Sequence, residues 1–132
     1  MRGFAIIFLS LFYFNFYSQS YVYYSSSSEN EINSETEVTL NINSDGNIQA
    51  FQFDLNYDLN NFTYTGFEIF EDNLSNHTIA VSEIGGNSLR VIVYSVSNDF
   101  IEVGDFSFIK LHFSIGDYLG QYNFLFQNIT SN

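Results

Sequence analysis

From Val38 onward the chain alternates apolar and polar residues with a period of two. Val38, Leu40 and Ile42 are interleaved with Thr39, Asn41 and Asn43, the pattern of a half-buried strand. Ser44-Asp45-Gly46-Asn47 then reads as a turn, because Asp caps nearby backbone and Gly accepts positive φ. The clearest strand follows: Phe51, Phe53, Leu55 and Tyr57 point one way, and Gln52, Asp54, Asn56 and Asp58 the other. After a turn at Leu59-Asn60-Asn61, Phe62 and Tyr64 open a further strand that Phe67, Ile69 and Phe70 continue. Glu71 to His77 is a polar loop. Thr78 to Ile84 is extended, and Gly85-Gly86-Asn87-Ser88 makes a hairpin into Leu89 to Val96. Phe106, Phe108, Ile109, Leu111, Phe113 and Ile115 form the next strand, with Lys110, His112 and Ser114 facing outward. Tyr122 to Ile129 is expected to be the last. Strands about every ten residues without a helical stripe predict an all-β, antiparallel sandwich.

The first twenty residues follow another pattern. Met1 and Arg2 precede an almost wholly apolar run, Phe4 to Phe16, which closes on Ser18-Gln19-Ser20. This is the layout of a secretory signal peptide, with a charged start, an apolar middle and a small-residue exit. A retained membrane anchor is the competing reading, and it needs ~20 apolar residues. The expected organisation is therefore a signal at 1–20, a short first strand (Tyr21 to Tyr24) and polar acidic loop (Ser25 to Glu37) over 21–37, and a sandwich domain over 38–132.

Charge narrows the function. The whole chain carries a net charge of −12. Loss of Arg2 with the signal leaves Arg90 and Lys110 against fifteen carboxylates, hence −13. Such a domain repels phosphate backbones and anionic membranes, while cations and basic partners remain open. The chain has no cysteine, which excludes disulfide staples, zinc–thiolate sites and cysteine nucleophiles. Its core must come from packing among about 110 residues and the eleven phenylalanines beyond residue 20. Four N-x-S/T sequons begin at Asn61, Asn73, Asn76 and Asn128, and in so Asn- and Ser-rich a chain they read as coincidence.

Several stretches resemble the cohesin family, jelly-roll modules that dock other proteins in bacterial extracellular assemblies. Ala50-Phe51-Gln52-Phe53-Asp54-Leu55-Asn56-Tyr57-Asp58 looks like the family's G-F-Q-F-x-L-x-Y-D strand. Leu89-Arg90-Val91-Ile92-Val93-Tyr94-Ser95 is similar to its central strand, and Gly104 to Phe113 and Tyr122 to Ile129 to the next two. The resemblance covers about 95 residues. Ala50 departs from it, standing where the family often has Gly. The chain also ends at Asn132, where the family continues for one further strand. That implies a fragment of a longer protein, the preferred reading, or a domain with an open sheet edge, which invites pairing.

The resemblance implies a non-catalytic docking or adhesion module, secreted or at a bacterial cell surface, whose partner is another extracellular protein of dockerin-like kind. It places the outward row Gln52, Asp54 and Asn56 on a partner-binding face. Arg90, Ile92 and Tyr94 are further partner-binding candidates, because the strand from Arg90 to Tyr94 is apolar on both sides, Val91 and Val93 on one and Ile92 and Tyr94 on the other; the charge of Arg90 argues for its solvent side, with its face left open. An ordinary solvated sheet face and simple central-strand burial are the plain alternatives. Polysaccharide is the rival partner, since similar sandwiches bind sugars on flat aromatics; the chain has ten Tyr but no Trp. A structural spacer in a larger surface protein is a third reading.

Catalysis finds little support. His77 and His112 are the only histidines, neither at metal-ligand spacing, and no G-x-S-x-G elbow accompanies the serines. No cofactor is expected. Calcium is weakly suggested by two carboxylate clusters, Glu68/Glu71/Asp72 and Asp99/Glu102/Asp105, but neither has the D-x-[DN]-x-[DN]-G pattern.

Overall fold

The computed structural model describes residues 4–7, 20–26, 29–117, 121–122 and 124–132, and among them there is no helix. The strands are β1 (Phe4–Ile7), β2 (Tyr21–Ser26), β3 (Glu29–Glu31), β4 (Glu35–Ser44), β5 (Phe51–Asn56), β6 (Phe62–Ile69), β7 (Thr78–Ile84), β8 (Ser88–Tyr94), β9 (Gly104–Ile115), β10 (Gln121–Tyr122) and β11 (Leu125–Ser131). Two antiparallel four-stranded sheets form the sandwich, in the orders β11-β5-β8-β7 and β2-β4-β9-β6. A small third sheet, β10-β1-β3, pairs Phe4–Ile7 with Glu29–Glu31 and with Gln121–Tyr122.

The two sheets meet through the rows that the alternation marked as apolar. Phe51, Phe53, Leu55, Leu89, Val91 and Val93 face inward from one sheet. Val38, Leu40, Ile42, Leu111, Phe113 and Ile115 answer from the other. Aromatic rings interlock between them. Phe113 lies 5.1 Å from Tyr57, 5.9 Å from Phe62 and 5.1 Å from Phe124, while Phe53 contacts Phe51, Phe108 and Phe126. Each fully buried phenylalanine contributes roughly 1.5–3 kcal/mol, and edge-to-face pairs add to that. This packing replaces the missing disulfides.

Three stretches differ from the alternation. The segment 25–37, expected as a loop, is largely strand: β2 runs on to Ser26, β3 occupies 29–31, and β4 begins at Glu35. Backbone pairing with the long β9 carries β4 past its apolar residues, with Glu35 opposite Ser114 and Thr36 opposite Phe113. Second, the final strand begins at Leu125 rather than Tyr122, because Gln121–Tyr122 pairs with β1 instead. Third, Phe108 and Ile109 are neighbours and yet both are buried, because a register shift at Leu40/Asn41 lets β9 bulge there. The turn at Asp45 forms as expected: its carboxylate accepts from the Asn47 N–H at 3.1 Å, and Gly46 has φ +89°.

Within 1–20 only Phe4–Ile7 and Ser20 are described; the rest of the expected signal lies outside the described residues. Ser20 is buried, and its hydroxyl donates to the Asp45 carboxylate at 3.0 Å while accepting from the Asp45 N–H.

Candidate functional site

Register settles which side chains share a face. Residues directly opposite in an antiparallel pair point the same way, and β5 pairs Gln52 with Ile92, Asp54 with Arg90 and Asn56 with Ser88. All six residues singled out in the sequence (Gln52, Asp54, Asn56, Arg90, Ile92 and Tyr94) therefore lie on the outer face of the β11-β5-β8-β7 sheet. The flanking strands extend it. Gln127 stands opposite Asp54 on β11, and Thr78 and Ala80 stand opposite Tyr94 and Ile92 on β7.

A cross-strand polar network organises the middle of this face. Asp54 is 2% exposed and accepts a forked pair of bonds from Arg90, Nε to Oδ1 at 2.8 Å and Nη2 to Oδ2 at 3.0 Å. Asn128 Nδ2 donates to the same Oδ2 at 2.8 Å. The Arg90 fork, joined by Asn128, holds the Asp54 carboxyl below its usual range, although burial pushes the other way. Beside it runs a second ladder: Ser88 Oγ donates to Asn56 Oδ1 at 2.5 Å, and Asn56 Nδ2 donates to Gln127 Oε1 at 2.6 Å. Five side-chain bonds thus tie three strands together, so these groups are held in fixed orientations rather than as loose side chains.

Apolar surface adjoins the network. Tyr94 is 40% exposed, Ile92 is half-buried, and Leu125 stands open at the β11 edge opposite Asn56. A shallow depression of about 150 Å³ lies where Gln52, Ile92 and Thr130 meet near the C-terminus. Beyond Tyr94 the chain carries more apolar surface at Val96 and Phe100.

Periodicity pointed to the rows on β5 and β8 but missed Asn128, which grips Asp54, and Gln127, which completes the Asn56 ladder. Both sit at a β-bulge between Gln127 and Thr130, where Asn128 has φ +50°. An Asn at that φ is the local signal that could have found the bulge. Three of the four sequon asparagines spend their side-chain amides on bonds within the chain, to Asp58, to the Ser107 carbonyl and to Asp54.

The histidines lie elsewhere. His77 Nε2 sits between the carbonyls of Gln49 and Asp99, at 3.1 and 3.0 Å, tying three loops together. His112 is on the outer face of the opposite sheet, with Nδ1 3.8 Å from Glu37 and Nε2 3.3 Å from Glu68. Two members of the second acidic cluster have partners in neighbouring segments. Asp105 accepts from the Tyr23 hydroxyl at 2.6 Å, and Asp99 engages Ser95. Among the described residues no group of three His, Cys, Asp or Glu side chains is placed to hold a metal ion.

No known family's sequence profile matches the chain, and no curated protein does. Solved structures do. The sixth cohesin of scaffoldin B from Acetivibrio cellulolyticus, in complex with a Cel5 dockerin, superposes with a TM-score of 0.65 at 16% identity, covering 76% of this chain and 77% of that one. A cohesin module from a family 33 glycoside hydrolase of Clostridium perfringens gives 0.62 at 16% identity, covering 76% and 73%. The seventh ScaB type I cohesin from Pseudobacteroides cellulosolvens gives 0.63 at 12% identity and covers 98% of this chain and 77% of that one. This chain folds as a cohesin-like β-sandwich.

Proposed function

We propose that the chain is a non-catalytic docking or adhesion module that captures another protein on the outer face of the β11-β5-β8-β7 sheet. The observation that carries this reading is the pre-bonded network around Asp54, set beside the exposed Tyr94 and half-buried Ile92 on one rigid sheet. Apolar anchors beside satisfied polar groups are the anatomy of a protein-binding surface. Cohesins of the same fold are seen with dockerins, in the Acetivibrio scaffoldin B complex and in a type I complex from Clostridium thermocellum. By likeness of fold, the partner here is a dockerin-like extracellular protein. Work outside the cell rests on the signal-like segment Met1–Ser20.

The test is capture. The chain is immobilised, exposed with calcium to the secreted and surface proteins of its producer, and eluted with a chelator. A single stoichiometric protein should be retained, and Ile92→Ala/Tyr94→Ala should lose it while keeping the parent's circular dichroism and melting temperature. Undiminished capture by the folded double variant removes this face from the proposal. Retention on insoluble polysaccharide with no protein bound would replace docking by sugar binding, and silence in both assays would leave a spacer.

A further inference from the structure

The far side of the sandwich carries a feature that the docking face does not use. β6 is an edge strand, paired only with β9 among the described residues. After the register shift at Tyr64/Gly66 its second half pairs regularly, with Phe67 opposite Leu111 and Ile69 opposite Ile109. Leu111 and Ile109 are wholly buried, so Phe67 and Ile69 also point toward the core side. Yet they remain 42% and 39% exposed. The facing sheet ends here in its own edge strand, β7, whose inward residues Ile79 and Val81 are only partly covered. The result is an apolar groove along the rim between the two sheets. Ile69 lines a depression of about 330 Å³ in it, shared with Leu74 and Ile79, and a second of about 430 Å³ beside it on the outward side, shared with Glu68, Phe70 and Lys110.

Two other edges are defended. β11 bulges at Asn128, and β7 points the charged Glu83 inward opposite Leu89, both recognised devices against strand addition. β6 has its own irregularity at Tyr64/Gly66, but beyond it, from Gly66 to Ile69, the strand pairs regularly and carries no Lys and no Pro. The charge beside the groove is mainly acidic: Glu68 and Glu71 are exposed and line the depressions at Ile69, with His112 3.3 Å from Glu68. The nearby Lys110 is engaged by Glu37 at 3.3 Å and lies over the Phe70 ring.

We propose that the β6 rim is a second binding site, which takes an extended basic-and-apolar segment of another protein as an added strand. Backbone pairing with β6 supplies the register. Alternate apolar side chains of the guest fill the groove over Phe67, Ile69 and Ile79, and the intervening Lys or Arg residues meet Glu68 and Glu71. A second copy of the chain is a poor guest, since it would bring Glu68 toward Glu68 in a molecule of net charge −12.

The probe is a blocked seven-residue peptide alternating lysine and valine, compared with one alternating glutamate and valine, titrated into the isotope-labelled chain. The lysine peptide should shift the amide resonances of Gly66–Ile69 and bind at least ~tenfold more tightly at low salt. Phe67→Ser/Ile69→Ser should abolish the shifts. Glu68→Lys/Glu71→Lys should reverse the preference between peptides, which keeps the test valid if the serine variant misfolds. Ile92→Ala/Tyr94→Ala should bind the peptide like the parent. Equal binding of both peptides, shifts confined to other strands, or loss of binding in the Ile92/Tyr94 variant would overturn the proposal. So would concentration-dependent shifts of β6 without peptide, which would assign the edge to a second copy.

Discussion

Asp54 keeps its charge while buried beneath Arg90, so its ionisation is coupled to folding. An unfolded aspartate titrates near about 3.9; in the folded chain the Arg90 fork and Asn128 lower that value. The group therefore favours the native state fully above about pH 4, and this contribution drains away as pH falls through the lower folded value. Asp54→Asn should cost about 1–3 kcal/mol at neutral pH, with the gap to the parent closing as pH drops below 4 in urea titrations. A gap that stays constant with pH would mean that the network does not depend on the charge. Tyr23 behaves in the opposite sense. Burial, then its bond to Asp105, push its hydroxyl up to about 12. Its contribution is complete below about pH 10, the unfolded value, and disappears as pH rises through 12. Burial also raises Tyr57 and Tyr64, so absorbance titration should show a late-ionising group of tyrosines, and Tyr23→Phe should reduce its amplitude by one residue.

At the scale of elements, the turns and strands depend on different things. Gly46 combines φ +89° with crowding, since a Cβ there would lie 2.9 Å from Val103 Cγ2, whereas Gly85 at φ +64° has open space. Gly46→Ala should therefore cost more than Gly85→Ala, about 2–3 against about 1 kcal/mol, measured by chemical denaturation. Equal costs would show that crowding at Val103 relaxes freely. The same contrast explains what could be read in advance. β5 and β8 were legible because each has a buried and an open side, so composition mirrors geometry. The Asp45 turn was legible because its chemistry is local. The first half of β4 was not, because its pairing is imposed by β9 rather than by its own Glu35, Thr36 and Glu37. The start of β11 was also obscured, because Gln121–Tyr122 pairs elsewhere and the bulge at Asn128 interrupts the alternation.

For the molecule as a whole, stability rests on one aromatic interior without covalent support. Phe113→Ala should cost about 3–5 kcal/mol, by transfer and cavity terms together, while Ile92→Ala/Tyr94→Ala on the outer face of the β11-β5-β8-β7 sheet should cost far less. A small loss at Phe113, read from the same denaturation curves, would mean that neighbouring rings collapse into the space. The candidate face was legible only in part for a related reason. Each outward row could be read along its own strand, but which residues meet across strands depends on register. The Asp54–Arg90–Asn128 contact joins residues 36 and 74 positions away from Asp54.

That separation sets an order of assembly. A ribosome releases residues 51–56 long before residues 125–131, and β5 sits between β8 and β11. Until β11 arrives, β5 has one ladder partner and Asp54 lacks its Asn128 donor, so nascent chains expose a half-built edge next to a partly compensated charge. Such non-local closure is intrinsically slow, and the open edge is most exposed to mispairing during that interval. The outer face of this sheet is therefore complete only once the seven-residue strand Leu125–Ser131 has docked.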